Sequence, residues 1–122
     1  MNTRSGLLIL IMPLVAACAT LQGFDNPTAV QRADAEQVEI LYGTPDRPYA
    51  SLGAVKGSGC LKSTFDSNIP EADALLKLKL QAATLSADAI MSTACRNVTI
   101  DWFTNCFNLT ECNGEAIRFL DK

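Results

Sequence analysis

The stretch Asn68-Ile69-Pro70-Glu71-Ala72-Asp73-Ala74-Leu75-Leu76-Lys77-Leu78-Lys79-Leu80-Gln81-Ala82-Ala83-Thr84-Leu85 decides the fold. It reads as one helix. Ser67 or Asn68 can cap it, Pro70 suits its first turn, and Glu71 and Asp73 complement the positive end of the helix dipole. Asp73, Lys77, Gln81 and Thr84 make a narrow polar stripe. Ala72, Leu75, Leu76, Leu78, Leu80, Ala82, Ala83 and Leu85 cover most of the remaining surface, and Lys79 must lead its charge out of that apolar face along its own stem. A helix this apolar packs on a sheet. It is too short and too interrupted to span a membrane.

The sheet is sought on both sides of the helix. Upstream, Val38, Ile40 and Tyr42 alternate with Glu39 and Leu41, which predicts a first strand. Gly43-Thr44-Pro45-Asp46 is a turn. A second strand runs through Ala50 to Val55 and reaches Cys60 by way of Gly57 and Gly59. Downstream, Ser86 to Asp88 end the helix and Ala89 to Cys95 form a third strand. Residues 96–105 read as a hairpin connection. Two short strands follow, Phe107 to Thr110 and Glu115 to Leu120, separated by the turn dipeptide Asn113-Gly114. The order predicts an α+β fold: a small, mostly antiparallel sheet of four to five strands with one helix covering one face.

Five cysteines divide into one and four. Cys60, Cys95, Cys106 and Cys112 lie in the second half of the chain. In an exported domain of this size they read as two disulfides. Zinc is the weaker reading, because no gap between neighbouring cysteines is the two to four residues of a structural site, and the chain has no histidine. A Cys-x-x-Cys redox motif is absent. Spacing leaves three pairings open.

The fifth cysteine ends an export signal. Arg4 supplies positive charge, Leu7 to Val15 the apolar core, and Ala16-Ala17 the small-residue cleavage site. The ending Val15-Ala16-Ala17-Cys18 matches the bacterial lipobox, so residues 1–17 are expected to leave as a signal peptide and Cys18 to become the acylated first residue. Ala19 stands where an aspartate would favour the inner membrane, which points to a lipid anchor on the periplasmic face of the outer membrane. Residues 18–37 read as the lipidated N-terminus and a flexible linker, with Ala29 to Glu36 as a possible weak helix. The folded domain is expected over residues 38–122. Both Asn97-Val98-Thr99 and Asn108-Leu109-Thr110 match the glycosylation sequon and read as chance in such a protein.

Taken together these features resemble the RcsF family of outer-membrane lipoproteins, which sense envelope stress for the Rcs phosphorelay. The resemblance rests on the lipobox, on Tyr49-Ala50-Ser51-Leu52-Gly53-Ala54-Val55 leading to Gly59-Cys60, on Ile69-Pro70-Glu71-Ala72 opening the helix, on Ala87-Asp88-Ala89-Ile90 leading to Cys95, and on Cys106-x5-Cys112. It implies the crossed pairing Cys60–Cys106 and Cys95–Cys112. It also implies partners: the barrel-assembly protein BamA and outer-membrane barrels, which hold the domain in unstressed cells, and the inner-membrane regulator IgaA, whose brake it relieves under stress. The linker departs from the family, being short with Pro27 alone where the family has a longer proline-rich segment.

The expected function is therefore stress relay by protein contact, with no cofactor or metal. A structural or envelope-assembly role for the same fold is the alternative. An enzyme is disfavoured by the missing histidine, the absence of a nucleophile motif and the scattered carboxylates. Interspersed charge, with a net −3 over the chain, argues against nucleic acid, and no small-molecule substrate is indicated. Trp102 and Phe103 read as caps on a small core, or alternatively as a partner contact.

Overall fold

A computed structural model describes residues 26–61, 69–98 and 106–122. Six elements follow one another: α1 (Ala29–Glu36), β1 (Glu39–Ile40), β2 (Tyr49–Leu61), α2 (Pro70–Thr84), β3 (Ala89–Val98) and β4 (Asn108–Phe119). One four-stranded sheet has the order β1-β3-β4-β2. The β2/β4 and β3/β4 pairs are antiparallel, and the short β1 runs parallel to β3. The α+β class, the mostly antiparallel sheet and the helix on one face are all as the sequence predicts.

Helix α2 starts at Pro70, with Glu71 and Asp73 in its first turn. Ile69 occupies the capping position and offers no side-chain acceptor, while Ser67 and Asn68 lie outside the described residues. Asp73 and Lys77 pair across one turn at 3.1 Å. The helix ends at Thr84, and Ser86 follows with φ 57° in the left-handed region. Ala74, Leu78 and Ala82, one turn apart, are buried against Val55, Ile90, Cys112 and Ala116 of the sheet.

The helix comes unusually close to β2. A Cβ at Gly57 would overlap the Ala74 carbonyl and the Leu78 backbone nitrogen, and one at Gly59 would overlap the Pro70 carbonyl. Glycine lets backbone lie on backbone here, and the sheet continues beneath: Gly57 pairs with Cys112 and Gly59 with Thr110. Strand β2 therefore extends through both glycines to Leu61, one residue past the Cys60 to which the sequence reading carries it. The same cause corrects the reading of Asn113-Gly114 as a turn. Asn113 pairs with both Lys56 and Ala94, Gly114 pairs with Val55, and β4 is one continuous strand. A Cβ on Gly114 would run into Ile90 Cγ2. The glycine marks a close approach across strands, which a sequence cannot distinguish from a turn.

A second correction concerns the linker. Residues 29–36 form α1, closed by a capping box: the Thr28 hydroxyl accepts from the Gln31 N–H at 3.1 Å, and the Gln31 side chain accepts from the Thr28 N–H at 2.8 Å. Helix α1 lies on α2, with Ala35 fully buried. Leu80 explains why. It sits about 200° around the helix from Leu78, facing away from the sheet, yet is only 2% exposed. Its neighbours include Gln31 and Asp34 of α1. The nearly all-round apolar character of α2 thus has two partners, the sheet and α1, and a lone helix on one face would have left Leu80 in water.

On the other sheet face a smaller cluster joins Ala89, Met91, Ile117 and Phe119 to Leu41 and Tyr49. The expected first strand contributes only Glu39–Ile40 to the ladder. Beyond it, Leu41 donates to Ile90 O at 2.8 Å and accepts from Thr93 N at 3.0 Å, and Gly43 accepts from Ser92 N at 3.1 Å. These bonds draw Ser92 and Thr93 out of register with β4, where the β3/β4 pairing skips from Met91 to Ala94.

If α1 seals α2, Leu80→Ala should cost about 2–4 kcal/mol in equilibrium urea unfolding. Val30→Ala, on the 70%-exposed outer side of α1, should change stability by less than about 0.5 kcal/mol.

Candidate functional site

Six of the residues singled out in the sequence lie beyond the signal region. Four are the cysteines, and the structure joins them as Cys60–Cys106 and Cys95–Cys112, the pairing that the resemblance implies. Cys95 stands directly opposite Cys112 on adjacent strands, with Cα atoms 4.0 Å apart. Such closeness belongs to a pair whose backbone groups point away from each other. Cys112 is fully buried beneath α2. Cys60 has the opposite parity to Val55, Gly57 and Gly59, which face α2, so its bridge lies on the open face. The Cys60–Cys106 Cα distance is 5.3 Å. This bridge fastens the chain entering β4 to the end of β2, where Phe107 N–H also donates to Leu61 O at 2.5 Å. Each sheet face carries one staple, each worth about 2–4 kcal/mol.

Trp102 and Phe103 fall within residues 99–105, outside the described residues, and Cys18 lies before the first described residue. Leu61, Val98 and Asn108 lie at the end of the sheet that holds the Cys60–Cys106 bridge. Ile69 and Phe107 at that end are 68% and 63% exposed.

The open face divides into two halves. Toward the Cys60 end it is polar. Glu111 accepts from Arg96 at 3.2 Å, with Lys56 3.8 Å away, while Ser51, opposite Ile117 of the apolar cluster, donates to Glu115. Exposed pairs of this kind contribute about 0–1 kcal/mol, so they shape a charged surface more than they hold it. Toward the other end the chain from Leu41 to Pro48 straps across the apolar cluster. Arg47 lies 3.8 Å over the Phe119 ring and grips both Asp121 oxygens, at 2.9 and 3.1 Å from Nε. Asp88 accepts the Phe119 N–H at 2.8 Å and pairs with Lys122. Sequence reading missed this clamp, because isolated charges such as Arg47, Asp88 and Asp121 carry no spacing signal.

These same groups have displaced acidities. The Arg47 hydrogen bonds hold the Asp121 carboxyl below its ordinary range, and the Lys122 bond, helped by the Phe119 amide, does the same for Asp88. Both belong to the terminal clamp. Among the described residues no group of three or more potential metal ligands comes together, and no helix is long and apolar enough to cross a membrane. What the arrangement offers is surface: a charged face, an apolar end and a strapped cluster on a stapled frame.

A carboxylate acidified on folding adds stability above its unfolded pKa and loses it as pH falls through the lower folded value. The Tm difference between the wild type and Asp88→Asn should therefore be widest near pH 6–7. It should shrink progressively as pH falls below about 4. Thermal unfolding across this range measures it, and a constant difference would separate the role of Asp88 from its charge.

No family model matches the chain, and no curated protein matches it. Among solved structures, the fold is similar to a crystal structure of a protein of unknown function from Pediococcus pentosaceus, assigned to the DUF74 family. The TM-score is 0.56 at 19% identity, over 67% of this chain and 97% of that one. At this identity the likeness extends to the fold alone.

Proposed function

We propose that this chain is an acylated lipoprotein of the outer membrane whose stapled domain relays envelope stress by protein contact to the Rcs phosphorelay, as in the RcsF family it resembles. The observation that carries the reading is the cysteine arrangement. Cys18 closes a lipobox, and the other four form two crossed bridges, one on each face of a single small sheet. Crossed bridges suit an oxidising compartment and a domain that must stay rigid while exposing its surface. Partners would be BamA and outer-membrane barrels on one side and IgaA on the other, with the domain changing partners rather than performing chemistry.

A second reading rests on α1. With Thr28 held in the cap of α1, the stretch from Cys18 to that cap reaches at most roughly 30–35 Å when fully extended. A domain held so close to its membrane favours an envelope-assembly role without signalling output.

Cell fractionation and crosslinking test both. Cys18→Ala should leave unprocessed protein outside the outer membrane, and fractionation with the outer membrane would overturn the anchor. Crosslinks in intact cells to both a barrel-assembly component and the inner-membrane regulator support stress relay. Crosslinks to barrels alone support the assembly role.

A further inference from the structure

Strand β1 is an edge of the sheet. The Glu39 and Leu41 N–H groups turn inward, to Asp88 O at 3.1 Å and Ile90 O at 2.8 Å. The peptide groups of Ile40 consequently point to the free side. Different surfaces lie above and below this edge. On the helix side, Ile40, Leu75, Leu76 and Ala72 line a mostly apolar groove of about 300 Å³, with Glu36 and Lys79 also on its walls. On the strap side, Leu41, Pro45, Tyr42 and Phe119 line an open dish of about 370 Å³, rimmed by Glu39 and Asp46. Arg47 also touches the dish, but its charge is committed to Asp121. Glu39 and Asp46 have no ion-pair partner among the described residues. Phe119 already carries Arg47 on its face, whereas Tyr42 is 72% exposed.

We propose that the β1 edge is a strand-addition site for an extended partner segment in which apolar residues alternate with arginine. An added strand would take its main-chain hydrogen bonds from Ile40, and its side chains would point alternately to the two faces. One set meets the apolar groove beside Leu75 and Leu76. The other meets the dish, where an arginine stem lies along Leu41 and Pro45 and its guanidinium reaches Glu39, Asp46 and the Tyr42 ring. Arginine suits this better than lysine, because a planar guanidinium stacks on an aromatic face and binds a carboxylate through two N–H groups. Two carboxylates beside an aromatic ring, neither with an ion-pair partner among the described residues, disfavour an acidic partner. The inference deepens the reading that the domain works by protein contact, and rests on it.

The test uses the intact oxidised protein and a capped fluorescent hexapeptide alternating valine and arginine. Its comparators carry glutamate or citrulline in place of arginine, or group the same residues in two blocks. Fluorescence anisotropy should rank the alternating arginine peptide tightest, and hydrogen exchange should slow at the Ile40 amide when it binds. The double variant Glu39→Gln/Asp46→Asn should bind about tenfold more weakly. Equal affinity for the alternating and block peptides, or for the wild type and the double variant, would overturn the site. Photo-crosslinkers at Tyr42 and at Ser58 in intact cells separate this claim from the broader one. Adducts from Tyr42 that are lost in the double variant support it. Adducts from Ser58 alone overturn the strand-addition site and leave contact signalling standing, and adducts from neither overturn both.

Discussion

The rest of the domain depends on the contact between the backbone of α2 and the backbone of β2 at Gly57 and Gly59. Side chains ordinarily separate a helix from a sheet. Here two glycines on alternate residues remove them, and Ala74 supplies the matching small surface on the helix. The closeness has consequences along the chain. Strand β2 must continue flat beneath the helix, so it runs thirteen residues to Leu61 and carries Cys60 to the place where Cys106 can meet it. The Ala74, Leu78 and Ala82 row is then fully used, which turns Leu80 outward and creates the seat for α1.

The two bridges divide the work of holding this frame. Cys95–Cys112 lies inside the core, between neighbouring strands. Cys60–Cys106 lies on the open face and closes the longer loop, 46 residues against 17. Neither is near the Arg47–Asp121 and Asp88–Lys122 ties, which secure the opposite end of the sheet. The domain is thus fastened covalently at one end and ionically at the other. That leaves its edge strand and its charged face as surfaces that can meet a partner without loosening the core.

Much of this was legible in the sequence, for reasons that can be traced to residues. The 70–84 helix was clear from Pro70, Glu71, Asp73 and the leucine pattern, because those signals are local. The sheet strands were clear where β-branched and apolar residues alternate. Glycine misled once: Gly114 suggested a turn, when, like Gly57 and Gly59 within β2, it accommodates a neighbour from elsewhere in the fold. A glycine selected for tertiary contact looks the same in sequence as one selected for a turn. Helix α1 was faint because its stability comes from a cap and from packing on α2 rather than from its own apolar face. The strap and the strand-edge surfaces arise from residues such as Arg47, Glu39 and Asp46, which are brought near Phe119 only by the completed topology. The disulfide pairing could not be read from spacing at all and came from family resemblance.

The central claim is that α2 seats directly on the β2 backbone, and one substitution addresses it. Equilibrium urea unfolding of the oxidised protein should show Gly57→Ala destabilised by about 1–3 kcal/mol, the cost of forcing a methyl into a filled contact. Ser58→Ala, one residue along and exposed on the opposite face, should stay within about 0.5 kcal/mol of wild type. A Gly57→Ala protein as stable as wild type would mean that the helix stands off from the sheet, and would contradict the account.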